Sequence, residues 1–91
     1  MNRPRKPLST RYKRIMKMFA TNLQKSRRAA GYKSAEQFAG VLGVEPHAYR
    51  KYERGAAEPN FETLTRICEL LNCDFSDLLP PPAVRDTSEQ Q

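Results

Sequence analysis

The groups in this 91-residue chain able to do chemistry are sixteen Lys and Arg side chains, one imidazole and two thiols. Their arrangement is not that of a catalyst. His47 has no nucleophile or acid–base partner with which to form a constellation. Cys68 and Cys73 stand five residues apart without zinc spacing, and with His47 they cannot supply four ligands. No metal or cofactor is expected. Cys68 falls within an apolar helical pattern and reads as a buried, reduced thiol, and two thiols without disulfide spacing fit a reducing cytoplasm.

What the cations offer is anion binding, and their distribution is uneven. Residues 1–35 hold eleven basic side chains and no acid, whereas residues 36–91 hold five basic and all ten acidic ones, a net of −5. A chain polarised in this way presents a positive face to a polyanion, and nucleic acid is the default candidate. The alternative is a charged face that serves only solubility.

The length suits one small domain with a modest core. No apolar run approaches the roughly 20 residues that cross a bilayer, and the basic N-terminus lacks the apolar stretch of a secretory signal. A cytoplasmic protein without membrane contact is expected.

Helices must position the cations, since no alternating strand pattern and no internal repeat occurs. Residues 1–8 mix prolines with Arg3, Arg5 and Lys6 and suggest a flexible basic arm. Ser9 or Thr10 starts a long first helix running to Gly31, with Tyr12, Ile15, Met16, Phe19 and Leu23 along one face. Arg27 falls one turn further on that inward face, where an unpaired charge is costly, so it needs an acidic partner. Met16, Met18 and Phe19 either pack this helix or mark a surface for another subunit.

Ser34 to Gln37 carries a capping-box pattern and opens a second helix with Phe38, Ala39 and Leu42 inward, ended by Gly43. Pro46 suits the first turn of a third helix, closed by Gly55. Tyr49 and Tyr52 share a face directed at the core. Asn60 caps a fourth helix with an inner stripe of Phe61, Leu64, Ile67, Cys68 and Leu71. Phe75, Leu78 and Leu79 suggest a short fifth helix stopped by three prolines, with residues 80–91 a disordered tail. The expectation is all-α, one domain over 9–79.

Two short helices joined at Gly43 across residues 34–55, with small Ala39 where the helices cross, then Tyr52-Glu53-Arg54-Gly55 and Pro59, resemble the Cro and phage-repressor type helix-turn-helix domain. The likeness covers about Phe19 to Leu79. It implies a five-helix lambda-repressor-like bundle with an extended first helix, binding double-stranded DNA. By that resemblance Pro46, His47, Arg50 and Lys51 read bases, together with Glu45, which either accepts from a cytosine amine or caps the helix. Arg54 takes a place that touches phosphate, and Arg27 a place that pairs with Glu53.

Three departures bear on phosphate binding. Ala35 stands where the family often has a phosphate-binding glutamine, the segment from Gly31 to Ser34 is one residue longer, and the loop after Gly55 is not basic. Phosphate contacts are therefore expected from Lys33, Ser34, Arg54 and backbone N–H groups, with Arg3, Arg5 and Lys6 of the arm in a minor groove or along the phosphates.

The implied activity is sequence-specific transcriptional regulation. A repressor acting as a homodimer on a partly palindromic operator is expected. An antitoxin that autoregulates its operon through the same domain, with a small protein partner, is the alternative.

Overall fold

Three of the helices begin where a short polar side chain replaces a missing backbone partner. The computed structural model describes residues 9–79. Among them lie five helices and no strand: α1 (Thr10–Ala29), α2 (Ala35–Leu42), α3 (Pro46–Arg54), α4 (Phe61–Leu71) and α5 (Phe75–Leu78). The expected all-α, five-helix arrangement is what the chain adopts. The arm of residues 1–8, with Arg3, Arg5 and Lys6, and the tail of 80–91 lie outside the described residues.

Ser9 Oγ accepts from the N–H of Tyr12 at 2.9 Å, Ser34 Oγ from Gln37 at 3.0 Å, and Asn60 Oδ1 from Thr63 at 2.8 Å. Each bond satisfies one of the four N–H groups that a helix start leaves open. The box at Ser34 is displaced from its expected form. Gln37 Oε1 accepts from the N–H of Lys33 at 3.1 Å, one residue before the cap. Helix α3 instead opens on Pro46, and Glu45 at its cap position makes no capping hydrogen bond. The expectation that the Glu45 carboxylate caps the helix is therefore corrected. Proline already presets the first turn and removes one orphan donor.

The stops are equally local. Gly43 closes α2 at φ 84° and Gly55 closes α3 at φ 74°, both in the left-handed region that side chains disfavour. Asn72 does the same for α4 at φ 55°.

The core draws from every helix: Phe19 and Leu23, Phe38 and Leu42, Tyr49, then Leu64, Ile67, Cys68 and Leu71, with Leu78 sealing one end. Helix α1 packs on α3 and α5, while α2 packs on α3 and α4. An edge-on series of rings ties the middle together. Phe38 lies 4.9 Å from Tyr32 and 5.5 Å from Tyr49, whose ring is 5.8 Å from Tyr52. Such tilted contacts suit the aromatic quadrupole. No described helix is long and apolar enough to cross a membrane.

Two apolar residues assigned inward, Ile15 and Phe61, lie outside the core, as does Phe75 of the short fifth helix. Ile15 is 37% exposed, Phe61 79% and Phe75 40%. Ile15 sits at the edge of the α1 stripe, while Phe61 and Phe75 occupy the first positions of their helices. Tyr12 is half-buried, and its hydroxyl donates to Glu58 at 2.9 Å. The carboxylate raises the phenol pKa of Tyr12 by holding its proton.

Candidate nucleic-acid interface

Helix α3 has two chemically opposed faces. Tyr49 and Glu53 are buried, four residues apart, and Tyr52 is half-buried beside them. Pro46, His47 and Arg54 are exposed, and Arg50 and Lys51 are partly so. Positions 47, 50, 51 and 54 follow three-to-four spacing and form one row directed away from the core.

The buried face is held by a polar cluster. Arg27 Nε donates to Glu53 Oε2 at 2.7 Å and its Nη2 donates to Oε1 at 3.1 Å, a bidentate pair. The third arm of the guanidinium, Nη1, donates to the carbonyl of Tyr32 at 2.9 Å. Tyr49 donates its hydroxyl to the same Oε2 at 2.6 Å. Arg27 is 4% exposed and Glu53 8%. Hydrogen bonding to Glu53 raises the pKa of Arg27 against the opposing effect of burial, and burial above all raises that of Tyr49.

Two further contacts lock α3 to α1. Gln24 Nε2 donates to the carbonyl of Glu53 at 2.7 Å. Gly55 lies so close to α1 that a Cβ there would stand 3.3 Å from the carbonyl oxygen of Met16. The exposed row is thus mounted on a fixed platform.

Helix α2 crosses α3 with Ala39 fully buried, and the N–H groups of Gly43 and Val44 both donate to the Ala39 carbonyl, at 2.9 and 3.0 Å. This tight turn sets the angle between the two helices. Lys33 and Ser34 lie exposed at the start of α2. The N–H groups of Ala35 and Glu36, within the first turn, have no partner inside the helix and are suited to an anion.

The profile of the helix-turn-helix family matches residues 23–78, a span from the middle of α1 to the end of α5. The chain belongs to the Cro and phage-repressor type helix-turn-helix family. Two curated relatives from Bacillus subtilis (strain 168) are similar over 62 residues, which is 68% of this chain. The SPbeta prophage-derived uncharacterized HTH-type transcriptional regulator YonR is 40% identical, and the match covers 56% of its length. The uncharacterized HTH-type transcriptional regulator YqaE is 36% identical, with 53% covered. The chain thus spans about half the length of these relatives. No solved structure matches it significantly.

Within this helix-turn-helix, one residue escaped the sequence reading. Glu36, on the first turn of α2, accepts from Arg50 Nη2 at 2.9 Å, with both side chains well exposed. The two are fourteen positions apart on different helices, so no local spacing signals the pair. Arg50 is consequently a base-reading candidate that already holds a partner. Glu36 also places a carboxylate where an incoming phosphate would approach. Glu45 remains exposed and available rather than committed to a cap.

Proposed function

We propose that this chain is a sequence-specific double-stranded DNA-binding transcriptional regulator, a repressor acting as a dimer on a partly palindromic operator. The observation that carries the proposal is the two-faced α3, with its exposed row of Pro46, His47, Arg50, Lys51 and Arg54 backed by the buried Tyr49–Glu53–Arg27 cluster. A helix of this kind enters the major groove, where base edges present distinct donors and acceptors.

In this reading Lys51 and His47 meet base edges, with Pro46 and Glu45 at the leading end of the helix. Arg54 and Lys33, together with Ser34 and the open N–H groups of α2, meet phosphates on either side, and Arg3, Arg5 and Lys6 extend the phosphate contacts. Arg50 leaves Glu36 to reach a base. The magnitudes permit this, because an exposed ion pair is worth about 0–1 kcal/mol while a bidentate arginine–guanine contact discriminates by about 1–3 kcal/mol. Two copies would read half-sites roughly 34 Å apart. Occupancy of a promoter by such a dimer represses transcription by exclusion.

The test selects duplexes from a random pool and measures their affinity by fluorescence anisotropy over a salt series. Lys51→Ala should weaken the selected duplex roughly 10-fold or more and leave a random duplex nearly unchanged. The affinity should fall linearly in log–log form with salt, because each neutralised phosphate releases counterions. Binding indifferent to both salt and Lys51 would refute the proposal.

A further inference from the structure

The most exposed large apolar side chain among the described residues lies on neither face of α3. Phe61, at the first position of α4, is 79% exposed. Beside it runs a groove of about 170 Å³ lined by Tyr12, Ile15, Phe19, Pro59, Leu64 and Leu79, with Phe61 as part of its wall. Single exposed apolar residues are ordinary on a protein surface. A projecting aromatic next to an apolar hollow is a different matter, since one molecule then carries both the knob and the hole.

We propose that this groove is where a second copy of the chain docks, with Phe61 of each copy seated in the groove of the other. The inference deepens the dimer of the proposed function and rests on that reading. A two-fold interface requires one patch to complement itself, so that each residue that inserts also receives. Knob and hole built from the same few residues satisfy that requirement.

The charge around the groove has the same symmetry. Its α1 rim is basic: Arg11 lies one turn before Ile15, and α1 contains no acidic residue. Its opposite rim is acidic, with Glu58 in the wall and Glu62 following Phe61. Two-fold docking lays the basic rim of one copy over the acidic rim of the other, twice. A second copy carries both halves of this match by construction, whereas a foreign protein would have to reproduce them. Arg11 has no ion pair among the described residues.

The location is compatible with reading DNA. No residue of the groove belongs to the exposed row of α3, so docking leaves that row free. The patch is small against the roughly 800 Å² per partner of a stable interface, so the free dimer is weak and adjacent half-sites complete it.

The experiment uses the full chain. Benzoylphenylalanine placed at position 61 is photolysed with and without a selected duplex, and the cross-linked peptides are identified by mass spectrometry. Sedimentation over a concentration series follows the wild type, Phe61→Asp and Ile15→Glu, with circular dichroism to verify folding. The expected result is cross-linking to Tyr12, Ile15 or Pro59 of a second copy. Self-association should weaken roughly 30-fold or more in each variant, as for a central aromatic anchor.

Cross-links to residues 80–91 of the same chain would identify another occupant and overturn the proposal. So would a wild type that remains monomeric on and off DNA, or a dimer insensitive to both substitutions. A chain that dimerises through Phe61 yet binds no duplex keeps this interface and removes the DNA reading. A chain that binds a half-site as a monomer does the reverse.

Discussion

Replacing Glu53 by alanine should be among the most destabilising single changes in this protein. Glu53 accepts two bonds from Arg27, at 2.7 and 3.1 Å, and one from the Tyr49 hydroxyl at 2.6 Å. Its loss leaves a guanidinium that is 4% exposed with only the Tyr32 carbonyl as partner, and a fully buried phenol with none. Breaking a buried pair by removing one member costs about 3–5 kcal/mol, and the orphaned hydroxyl adds about 1–3 kcal/mol. A domain of about 70 residues has roughly 4–10 kcal/mol in total. Glu53→Ala should therefore be largely unfolded or close to it at 25 °C in urea titrations followed by far-ultraviolet circular dichroism. The triple variant Arg27→Met, Tyr49→Phe, Glu53→Leu removes all the charge and polar groups together. It should recover most of that loss, because well-packed apolar replacements of buried pairs are often neutral or stabilising. A cost below about 1 kcal/mol for Glu53→Ala, or a triple variant as unstable as the single one, would refute a stabilising role for the buried cluster.

Two further outcomes follow from turns and thiols. Gly43→Ala and Gly55→Ala both force a side chain into the left-handed region, at about 1–2 kcal/mol each, but only Gly55 has α1 carbonyl atoms in the way. Gly55→Ala should show the lower melting temperature of the two, and equal losses would mean that the approach of Met16 is unimportant. Burial, with Cys73 next, pushes the Cys68 thiol up from 9.0 to about 12. The folded state thus keeps a proton that the unfolded chain sheds, so this stability is intact below pH 9 and lost as the pH rises toward 12. Urea midpoints should fall between pH 8 and pH 10.5, and Cys68→Ala should flatten that slope; an unchanged slope would discount the thiol.

Much of the fold was legible because its punctuation is local. Ser9, Ser34, Asn60, Gly43 and Gly55 act within one turn of themselves, so residue type and spacing are sufficient to place them. The inward position of Arg27 also follows from helical phase. An inward guanidinium demands a carboxylate, although phase alone does not say which; the family resemblance pointed to Glu53. Periodicity was less informative at the ends of helices. It reports which residues share a face, but not whether a neighbour covers that face. Ile15 belongs to the α1 stripe by spacing yet lies at its margin, and Phe61 belongs to the α4 stripe yet precedes the turn that meets the core.

The site shows the same division between local pattern and tertiary arrangement, and the difference decides what each charge can do. Arg27–Glu53 and Arg50–Glu36 are both arginine–glutamate pairs with bonds of 2.7 and 2.9 Å. Their side chains differ in exposure, 5% and 9% against 42% and 63%. In the dry pair neither partner has water as an alternative, so breaking it costs several kcal/mol and α3 stays fixed on α1. In the wet pair water competes throughout, so the bond is worth at most about 1 kcal/mol and a guanine edge or phosphate can take the guanidinium. In the proposed DNA reading Glu36 would hold Arg50 rather than lock it, and its carboxylate would disfavour any anion that fails to draw Arg50 away. If α3 reads DNA as proposed, it would benefit from both arrangements at once, one charge immobilised behind it and another left exchangeable in front.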